Sequence, residues 1–548
     1  MGYHDKLVGP AIRFNKYLDK FPKVYNVVFI GIVSCISGMM FGFDIASMSC
    51  FIGTDQYGNY FNHPNSNLQG IITSSMALGS FFGCFASGMV SEPFGRRAAL
   101  FFCSFFWMVG AAVQSSSQNV AQLICGRLIS GFGIGFGSSV APVYGSELAP
   151  RKIRGLIGCL FQFSVTVGIM VMFYICFGCS QIEGTASFRL AWGIQIIPGL
   201  LLFFGLFFLP ESPRWWAKQG NWEACEFIVA NIHANGNHED PDVLVEISEI
   251  KEQIMLDENV NRFRYIDLFR KKYINRTITA VFAQIWQQLT GMNTLMYYIV
   301  YVFDMAGYSG NTNLIASSIQ YVLNVVMTLP AFYLVDKFGR RPVLLIGAVF
   351  MFIFQCCIGG LLATYSIPHV FEGNSTVRII IPKENVAAAR GVIACCYLFV
   401  CSFAPTWGVA IWVYCAEVWG DSASRQRGAA VSTAADWALN FAIGMFTPSA
   451  FKNITWKTYF VFATFCGCMF LHVLFFFPET RGRRLEEIGQ IWDEHVPAWK
   501  TASWQPRIPL VSDIEVGQKH DIEERENSGS HSDVTEGKDN TTIAENLV

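Results

Sequence analysis

Carboxamide side chains occur in several long apolar segments of this sequence, where polar groups are unusual. Together with one tryptophan in a similar segment, the set consists of Gln162, Gln287, Gln288, Asn293, Asn324, Trp412 and Asn440. An amide offers a hydrogen-bond donor and an acceptor in one plane, so it suits a ligand that carries many hydroxyl groups. An aromatic ring can cover the apolar face of such a ligand. Because buried amides are costly unless they are paired, we predict that these residues line a polar binding site.

The spacing of these residues indicates two interrupted helices. Gln287 and Asn293 are six residues apart, so they do not share a face of an unbroken helix, and Gly291 lies between them. A break at the glycine would let both side chains reach one cavity, as in the discontinuous helices of transporters. The tryptophan of the set similarly follows Pro405 and Gly408. The alternative is that the amides only join neighbouring helices by hydrogen bonds.

Two ionisable residues also lie inside apolar segments. Asp44 is near the end of the first segment, and Arg127 is near the start of the fourth. Helices that run in opposite directions would place both at a similar depth, and an ion pair is the least costly way to hold them there. Such a pair can exchange a proton when its geometry changes, which makes it a candidate for proton coupling. The alternative is that the pair only fixes helix packing.

Other charged residues recur at corresponding places along the chain. Phe94-Gly-Arg-Arg recurs as Phe338-Gly-Arg-Arg, and Pro210-Glu-Ser-Pro-Arg recurs as Pro478-Glu-Thr-Arg. The charged residues of these repeats and of the segments near them are Arg96, Arg97, Glu147, Arg154, Glu211, Arg340, Arg341, Glu417, Arg427 and Glu479. Exposed ion pairs contribute about 1 kcal/mol or less each, so they suit a gate that must open. The alternative is that the arginines only signal membrane orientation.

The elements that must position these residues are membrane-spanning helices. The chain has 548 residues, of which 52% are hydrophobic and 15% charged, whereas soluble domains carry about 25% charged residues. About 20 apolar residues cross a bilayer as a helix. We predict spans at 25–49, 68–90, 98–117, 121–143, 156–178, 190–209, 277–303, 314–335, 342–365, 389–416, 428–450 and 457–477. The net charge of −2 gives no indication of a nucleic-acid partner.

Lysine and arginine predict the orientation, because they favour the cytoplasmic side of short loops. Basic clusters follow spans 2, 4, 8, 10 and 12, whereas the loops after spans 1, 3 and 7 contain neither residue. Both termini are therefore predicted to be cytoplasmic. The sequons at Asn374 and Asn453 then lie outside, where an N-glycan can be attached. A chance match is the alternative for each sequon.

The repeated motifs predict two six-helix halves in the same orientation, an arrangement known in transporters. The predicted regions are a cytoplasmic N-terminal segment at 1–24, a first bundle at 25–209, a cytoplasmic linker at 210–276, a second bundle at 277–477 and a cytoplasmic tail at 478–548. Val243, Ile247, Ile250 and Ile254 indicate an amphipathic helix in the linker. From about residue 515 the tail is rich in polar residues and is predicted to be disordered.

Several motifs resemble those of the sugar porter family of the major facilitator superfamily. They are Gly95-Arg-Arg, Gly339-Arg-Arg, Pro210-Glu-Ser-Pro-Arg, Gln287-Gln-Leu-Thr-Gly-Met-Asn293 and Pro478-Glu-Thr-Arg-Gly, and the resemblance covers roughly residues 25–490. Within the family, Gly42-Phe-Asp-Ile-Ala-Ser-Met48 and residues 311–341 are most similar to high-affinity glucose transporters of ascomycete yeasts. The resemblance implies an all-α membrane protein with twelve transmembrane helices in two pseudo-symmetric halves.

The resemblance also implies a function. It implies uptake of glucose across a fungal plasma membrane by alternating access, in a protein that works as a monomer. It assigns the seven amide and tryptophan residues to a central sugar site and the repeated charged residues to a cytoplasmic gate. Proton-coupled members carry an aspartate at the position of Asp44 opposite an arginine such as Arg127, which implies sugar:proton symport. A facilitative uniporter and a non-transporting sugar sensor are the alternatives.

Two positions depart from the family pattern. Asp436 stands where sugar porters often have asparagine. Its carboxylate could bind a sugar hydroxyl, carry a second proton or pair with a basic neighbour, and the sequence leaves these alternatives open. Ala404 stands where animal facilitative members have an acidic residue, and this departure weakens any transfer of their gating details to this chain.

The sequence gives no indication of an enzyme. The chain contains seventeen cysteines, but no spacing indicates a zinc site or a disulfide framework. We find no nucleophile with a matching base, no metal-ligand cluster and no phosphate-binding loop in the sequence. We therefore expect no catalytic residues, no cofactor and no bound metal.

Overall fold

The computed structural model describes residues 3–150, 153–258, 264–308, 310–369, 371, 376–419, 422–483 and 485–505. The tail from residue 515 and the sequon at Asn374 lie outside the described residues. The contacts reported below lie within residues 1–503, which form one unit.

The first half of the described chain is helical. The helices are α1 (Tyr3–Leu18), α2 (Val27–Phe51), α3 (Asp55–Tyr60), α4 (Ser66–Phe94), α5 (Arg96–Ser115), α6 (Val120–Leu148), α7 (Arg154–Ser180), α8 (Ala186–Ile194) and α9 (Ile196–Gly205). A short 3-10 helix at Leu206–Phe208 extends α9.

Asparagine side chains fix where three of these helices begin. The Oδ1 atom of Asn26 accepts hydrogen bonds from the backbone N–H groups of Val28 and Phe29, which open α2. Asn65 and Asn119 cap α4 and α6 in the same way. An N-terminal cap satisfies backbone donors that have no partner within the helix.

The linker between the halves forms α10 (Pro213–Lys218), α11 (Trp222–Ala234) and α12 (Pro241–Glu258), followed by a 3-10 helix at Tyr265–Phe269. The predicted apolar stripe lies on α12, where Val243, Ile247 and Ile250 are buried and Ile254 is partly buried. The four apolar residues of the stripe thus lie on one helix and face away from solvent to different degrees.

The second half contains ten further helices within the described residues. They are α13 (Ile274–Leu289), α14 (Met292–Met305), α15 (Gly310–Thr328), α16 (Ala331–Phe338), α17 (Arg340–Tyr365), α18 (Val386–Phe403), α19 (Trp407–Glu417), α20 (Ser422–Asn453), α21 (Lys457–Phe476) and α22 (Leu485–Asp493). Short 3-10 helices lie at Lys383–Asn385 and Ala498–Lys500. A two-residue strand β1 (Ile367–Pro368) pairs antiparallel with β2 (Ile379–Ile380).

Each predicted span falls on a helix or on two consecutive helices. Within the described residues, nine helical segments are long and apolar enough to cross a membrane, and the pair α15 and α16, bent by 42°, makes a tenth. The predicted span at 277–303 divides into the shorter helices α13 and α14, and the span at 428–450 lies within the polar helix α20. The prediction of an all-α membrane protein is confirmed.

Both predicted helix interruptions are present. Helix α13 ends at Leu289 and α14 begins at Met292, with Gly291 between them at a φ of +85°. The amide of Gln355 donates to the carbonyl oxygen of Thr290 at 3.1 Å, which satisfies an acceptor that the break leaves free. The second interruption separates α18 from α19 at residues 404–406.

Gly291→Ala is expected to lower the melting temperature of the purified protein by several degrees. A left-handed backbone costs a non-glycine residue about 1–2 kcal/mol, and a Cβ atom at residue 291 would lie 2.7 Å from the ring of Phe462. Gly360→Ala is the control, because a Cβ atom there meets nothing within 4 Å and alanine favours a helix. Equal melting temperatures for the two variants would contradict the structural role of Gly291.

Candidate functional site

A cavity with an empty volume of about 480 Å³ lies between the two halves of the chain. Its lining residues are Phe41, Ile45, Gln162, Val165, Ile169, Gln287, Gln288, Met292, Asn293, Met296, Asn324, Phe403, Trp412 and Asp436. Helices α2 and α7 supply one wall, and helices from α13 to α20 supply the other. The structure therefore brings together six of the seven residues that the sequence assigns to a binding site. We call this space the central cavity.

The seventh residue, Asn440, is not among the residues that line the central cavity. Its side chain is buried, and its Oδ1 atom accepts a hydrogen bond of 3.3 Å from the hydroxyl of Tyr297. Asn440 thus contacts α14 in this conformation, as in the alternative in which an amide joins two helices. Its predicted role in ligand binding stays a prediction.

Three polar residues of the central cavity form a hydrogen-bonded chain. Asn293 donates to the Oε1 atom of Gln288, and the Nε2 atom of Gln288 donates to the Oδ1 atom of Asp436 at 2.7 Å. The break at Gly291 makes this possible, because it lets residues on α13 and α14 face each other. The chain fixes the amide of Gln288 with its nitrogen towards the carboxylate.

The remaining amides of the cavity differ in whether they already form hydrogen bonds within the protein. Gln287 donates to the carbonyl oxygen of Trp407 at 2.9 Å, so it joins α13 to the start of α19. Within the described residues, the side chains of Gln162 and Asn324 form no hydrogen bond. These two amides are available to a ligand. Trp412 packs against the ring of Phe161, with 5.2 Å between the ring centroids.

Asp44 and Arg127 form the predicted ion pair. The Nη2 atom of Arg127 lies 2.7 Å from the Oδ2 atom of Asp44, and neither side chain is exposed to solvent. The same nitrogen donates to the carbonyl oxygen of Thr73 at 3.1 Å. Within the described residues, the Oδ1 atom of Asp44 and the Nε and Nη1 atoms of Arg127 have no hydrogen-bond partner.

The ion pair lies beside the central cavity. Asp44 stands on α2 between Phe41 and Ile45, which both line the cavity. Tyr297 of α14 lies within electrostatic range of Asp44 and Arg127, and it holds Asn440. A change in the charge of the pair can therefore reach the cavity walls through α2 and α14.

The repeated charged motifs meet at one end of the molecule, which we call the arginine-rich face. In the first half, Arg96 pairs with Glu147 at 2.8 Å, and Ser212 donates to the same carboxylate. Glu211 accepts backbone hydrogen bonds from Arg96 at 2.9 Å and from Arg97 at 3.2 Å. Burial raises the pKa of Glu211, although Arg97, Arg96 and backbone N–H groups oppose that rise.

The second half repeats this arrangement. Arg340 pairs with Glu417 at 2.8 Å, and Thr480 donates to Glu417 at 2.7 Å. Glu479 accepts backbone hydrogen bonds from Arg340 and Arg341, each at 3.0 Å. The backbone at Gly95 and at Gly339 has nearly the same φ, +96° and +94°. The sequence repeat therefore corresponds to two copies of one structural motif.

One ion pair on the arginine-rich face joins the two halves. Arg427 of α20 lies 2.6 Å from the carboxylate of Glu92 on α4. Glu92 was not among the predicted residues, and neither were Ser212 and Thr480. Ser212 and Thr480 occupy the same position in the Pro-Glu-Ser and Pro-Glu-Thr motifs. The sequence repeat could therefore have indicated both residues. Arg154 begins α7, and its side chain lies outside the described part of the chain.

A second cavity, with an empty volume of about 600 Å³, opens between the halves near the arginine-rich face. Its lining residues include Glu147, Arg214, Glu417 and Arg425. Trp412 lines both this space and the central cavity. The tryptophan therefore stands between the central cavity and the arginine-rich face.

Asn453 is the last residue of α20 and is exposed. All seventeen cysteines are free thiols. Among the described residues, no group of three or more histidine, cysteine, aspartate or glutamate side chains is placed to hold a metal ion.

A polar cavity between two helical halves, next to a buried ion pair, defines an α-helical membrane transporter. The profile of the family described as "Sugar (and other) transporter" matches residues 30–492. The chain therefore belongs to this sugar transporter family.

Similar proteins include two from yeasts. The chain is 65% identical to a "High-affinity glucose transporter 1" of Candida albicans over 518 residues, which are 94% of this chain and 95% of that protein. It is 57% identical to a "High-affinity glucose transporter" of Kluyveromyces lactis over 501 residues, 91% of each chain.

Solved structures of a bacterial relative have the same fold. The proton:xylose symporter XylE of the major facilitator superfamily, bound to 6-bromo-6-deoxy-D-glucose, matches with a TM-score of 0.73 and 25% identity. The match covers 85% of this chain and 99% of that chain. Against the inward-open conformation of XylE from E. coli, the TM-score is 0.65 at the same identity, with 85% and 100% covered. The chain as a whole is thus more similar to the structure with bound sugar.

Gln288→Ala is expected to weaken sugar binding about tenfold or more, because it leaves both Asp436 and Asn293 without their partner in a buried cavity. Gln114→Ala is the matched control. Gln114 is also a buried amide, but it donates to Ser130 at 3.0 Å and does not line the central cavity. Equilibrium binding of labelled glucose to the purified variants measures both effects. Equal affinities would contradict the assignment of Gln288 to the site.

Proposed function

We propose that this chain takes up glucose across the plasma membrane of a fungal cell by alternating access, in symport with protons. The observation that carries the proposal is that amides from both halves of the chain meet in one cavity beside a fully buried ion pair. The names of the similar yeast transporters and of the proton:xylose symporter support both parts of the proposal.

The central cavity suits a monosaccharide. Gln162 and Asn324 approach from opposite halves with free amides, so a hydroxylated ring can bridge them. Trp412 offers an aromatic face at the side towards the arginine-rich face.

The ion pair suits proton coupling because its opposing energies nearly balance. At 2.7 Å and an effective dielectric constant of about 20, the attraction is on the order of 6 kcal/mol. Burial costs several kcal/mol for each ion. A small movement of α2 against α6 can therefore decide whether Asp44 holds a proton. We propose that protonation releases Arg127 and favours closure around the sugar.

The arginine-rich face is proposed to be the cytoplasmic gate, with both termini in the cytoplasm and a monomer as the working unit. Arg427 and Glu92 join the halves there, whereas Arg96–Glu147 and Arg340–Glu417 lie within each half. Opening towards the cytoplasm would separate the first pair. The exposed Asn453 would then face outwards, where it could carry a glycan.

Asp44→Asn is expected to abolish glucose accumulation but to keep exchange of glucose down its gradient. One charge is worth about 2.3 kcal/mol per 100 mV, and one pH unit about 1.4 kcal/mol. Together these support accumulation of several hundred-fold in the wild type, which the variant should lose. Uptake and counterflow of labelled glucose in cells without other sugar carriers measure the two activities.

Asp304→Asn is the control for this experiment. Asp304 accepts a hydrogen bond from Asn313 at 2.7 Å and is not part of the Asp44–Arg127 pair, so this variant should still accumulate glucose. Undiminished accumulation by Asp44→Asn would exclude the coupling role. If the wild-type protein showed no counterflow of labelled glucose, sugar transport itself would be excluded.

A further inference from the structure

Asp436 is a second buried acid, and it differs from Asp44 in having no basic partner. The residue lines the central cavity and is 1% exposed. Its Oδ1 atom accepts one hydrogen bond, from Gln288 at 2.7 Å, while its Oδ2 atom has no partner in the described part of the chain. No described lysine, arginine or histidine lies within 4.0 Å of the carboxylate. Of the three roles left open by the sequence, pairing with a base is therefore excluded for the described residues.

The elements packed against α20 bring no positive charge to Asp436. The titratable groups within electrostatic range of Asp436 are the thiols of Cys84 on α4 and Cys415 on α19. The indole of Trp437, the next residue, donates to Ser138 of α6. Among the described charged side chains of these helices, Arg127, Arg276 and Arg427 are paired with Asp44, Asp493 and Glu92. Glu147 and Glu417 are paired with Arg96 and Arg340, and Asp304 of α14 accepts a hydrogen bond from Asn313. Within the described residues, an ionised Asp436 is therefore stabilised by one amide alone.

A sugar that fills the central cavity excludes solvent from the wall that Asp436 lines. An ionised carboxylate without a cation is then strongly destabilised. The neutral acid avoids this cost, because Oδ1 still accepts from Gln288 while Oδ2 carries the proton.

We propose that Asp436 takes up one proton from solvent when sugar binds, so that sugar affinity depends on pH at this residue independently of the Asp44–Arg127 pair. This inference rests on the proposed function, because it requires the central cavity to be the sugar site. The proton leaves a hydronium ion or a buffer acid in solution and forms a bond to Oδ2 of Asp436, and no other covalent bond changes.

The direction of the pH dependence follows from the coupling between sugar binding and proton uptake at Asp436. The sugar-bound form holds one more proton at Asp436 than the free form, so affinity is highest at low pH. It falls by up to about tenfold per pH unit as pH rises through the titration. Asp436→Asn has the shape of the neutral acid and also offers a donor. This variant should therefore bind sugar at every pH about as tightly as the wild type binds at low pH.

The test uses the full-length protein with Asp44→Asn, so that the ion pair does not titrate. D-glucose affinity is measured between pH 5 and pH 8 by equilibrium binding of labelled glucose to the purified protein. We expect Asp44→Asn to lose about tenfold or more in affinity over this range, and the double variant Asp44→Asn/Asp436→Asn to stay constant. Asp44→Asn/Asp304→Asn is the matched control and should lose affinity as Asp44→Asn does, because Asp304 does not line the cavity.

A second measurement needs no substitution at Asp436. In weakly buffered solution with a pH indicator, glucose added to Asp44→Asn should remove protons from the medium. A constant affinity with no proton uptake would overturn the proposal, and so would an equal pH dependence in Asp44→Asn/Asp436→Asn. If wild-type protein bound no glucose at any pH, the proposed function itself would fail, which is a separate outcome.

Discussion

The ion pair between Asp44 and Arg127 is the interaction on which the arrangement of the first half depends. Two opposite charges lie 2.7 Å apart with no solvent access, so each can stay ionised only while the other is present. This fixes the depth of α2 relative to α6, and it places Phe41 and Ile45 against the ligand space. A structural requirement and a functional one thus fall on the same two residues.

The second half contains the same charged motifs as the first, and in addition its helices are broken next to the central cavity. Glu211 and Glu479 each accept hydrogen bonds from the backbone of an arginine pair, so the starts of α5 and α17 are tied to the segments that follow α9 and α21. The breaks in the second half, at Gly291 and at residues 404–406, lie next to the residues that line the central cavity. Each half therefore has a firmly bonded end at the arginine-rich face, while the adjustable backbone is concentrated at the cavity.

The helix break and the polar cavity could be predicted from the sequence, because each depends on residue types within a short stretch of the chain. A glycine between Gln287 and Asn293 determines where α13 ends, and amides in apolar segments have few favourable places other than a polar cavity. The rotation of Asn440 towards Tyr297 could not be predicted, because it depends on how α20 packs against α14. The pair of Glu92 with Arg427 could not be predicted either. Asp336 is the counterpart of Glu92 in the repeat, yet it pairs with Arg340 in its own half.

The most direct test of proton coupling through the buried pair is proton movement driven by sugar alone. Liposomes that contain the purified protein and a luminal pH dye, with no ion gradient, would receive glucose on the outside. Symport predicts that the lumen becomes more acidic as glucose enters, and that the Asp44→Asn protein admits glucose without this change. Entry of glucose into wild-type liposomes at constant luminal pH would contradict the coupling of sugar to protons.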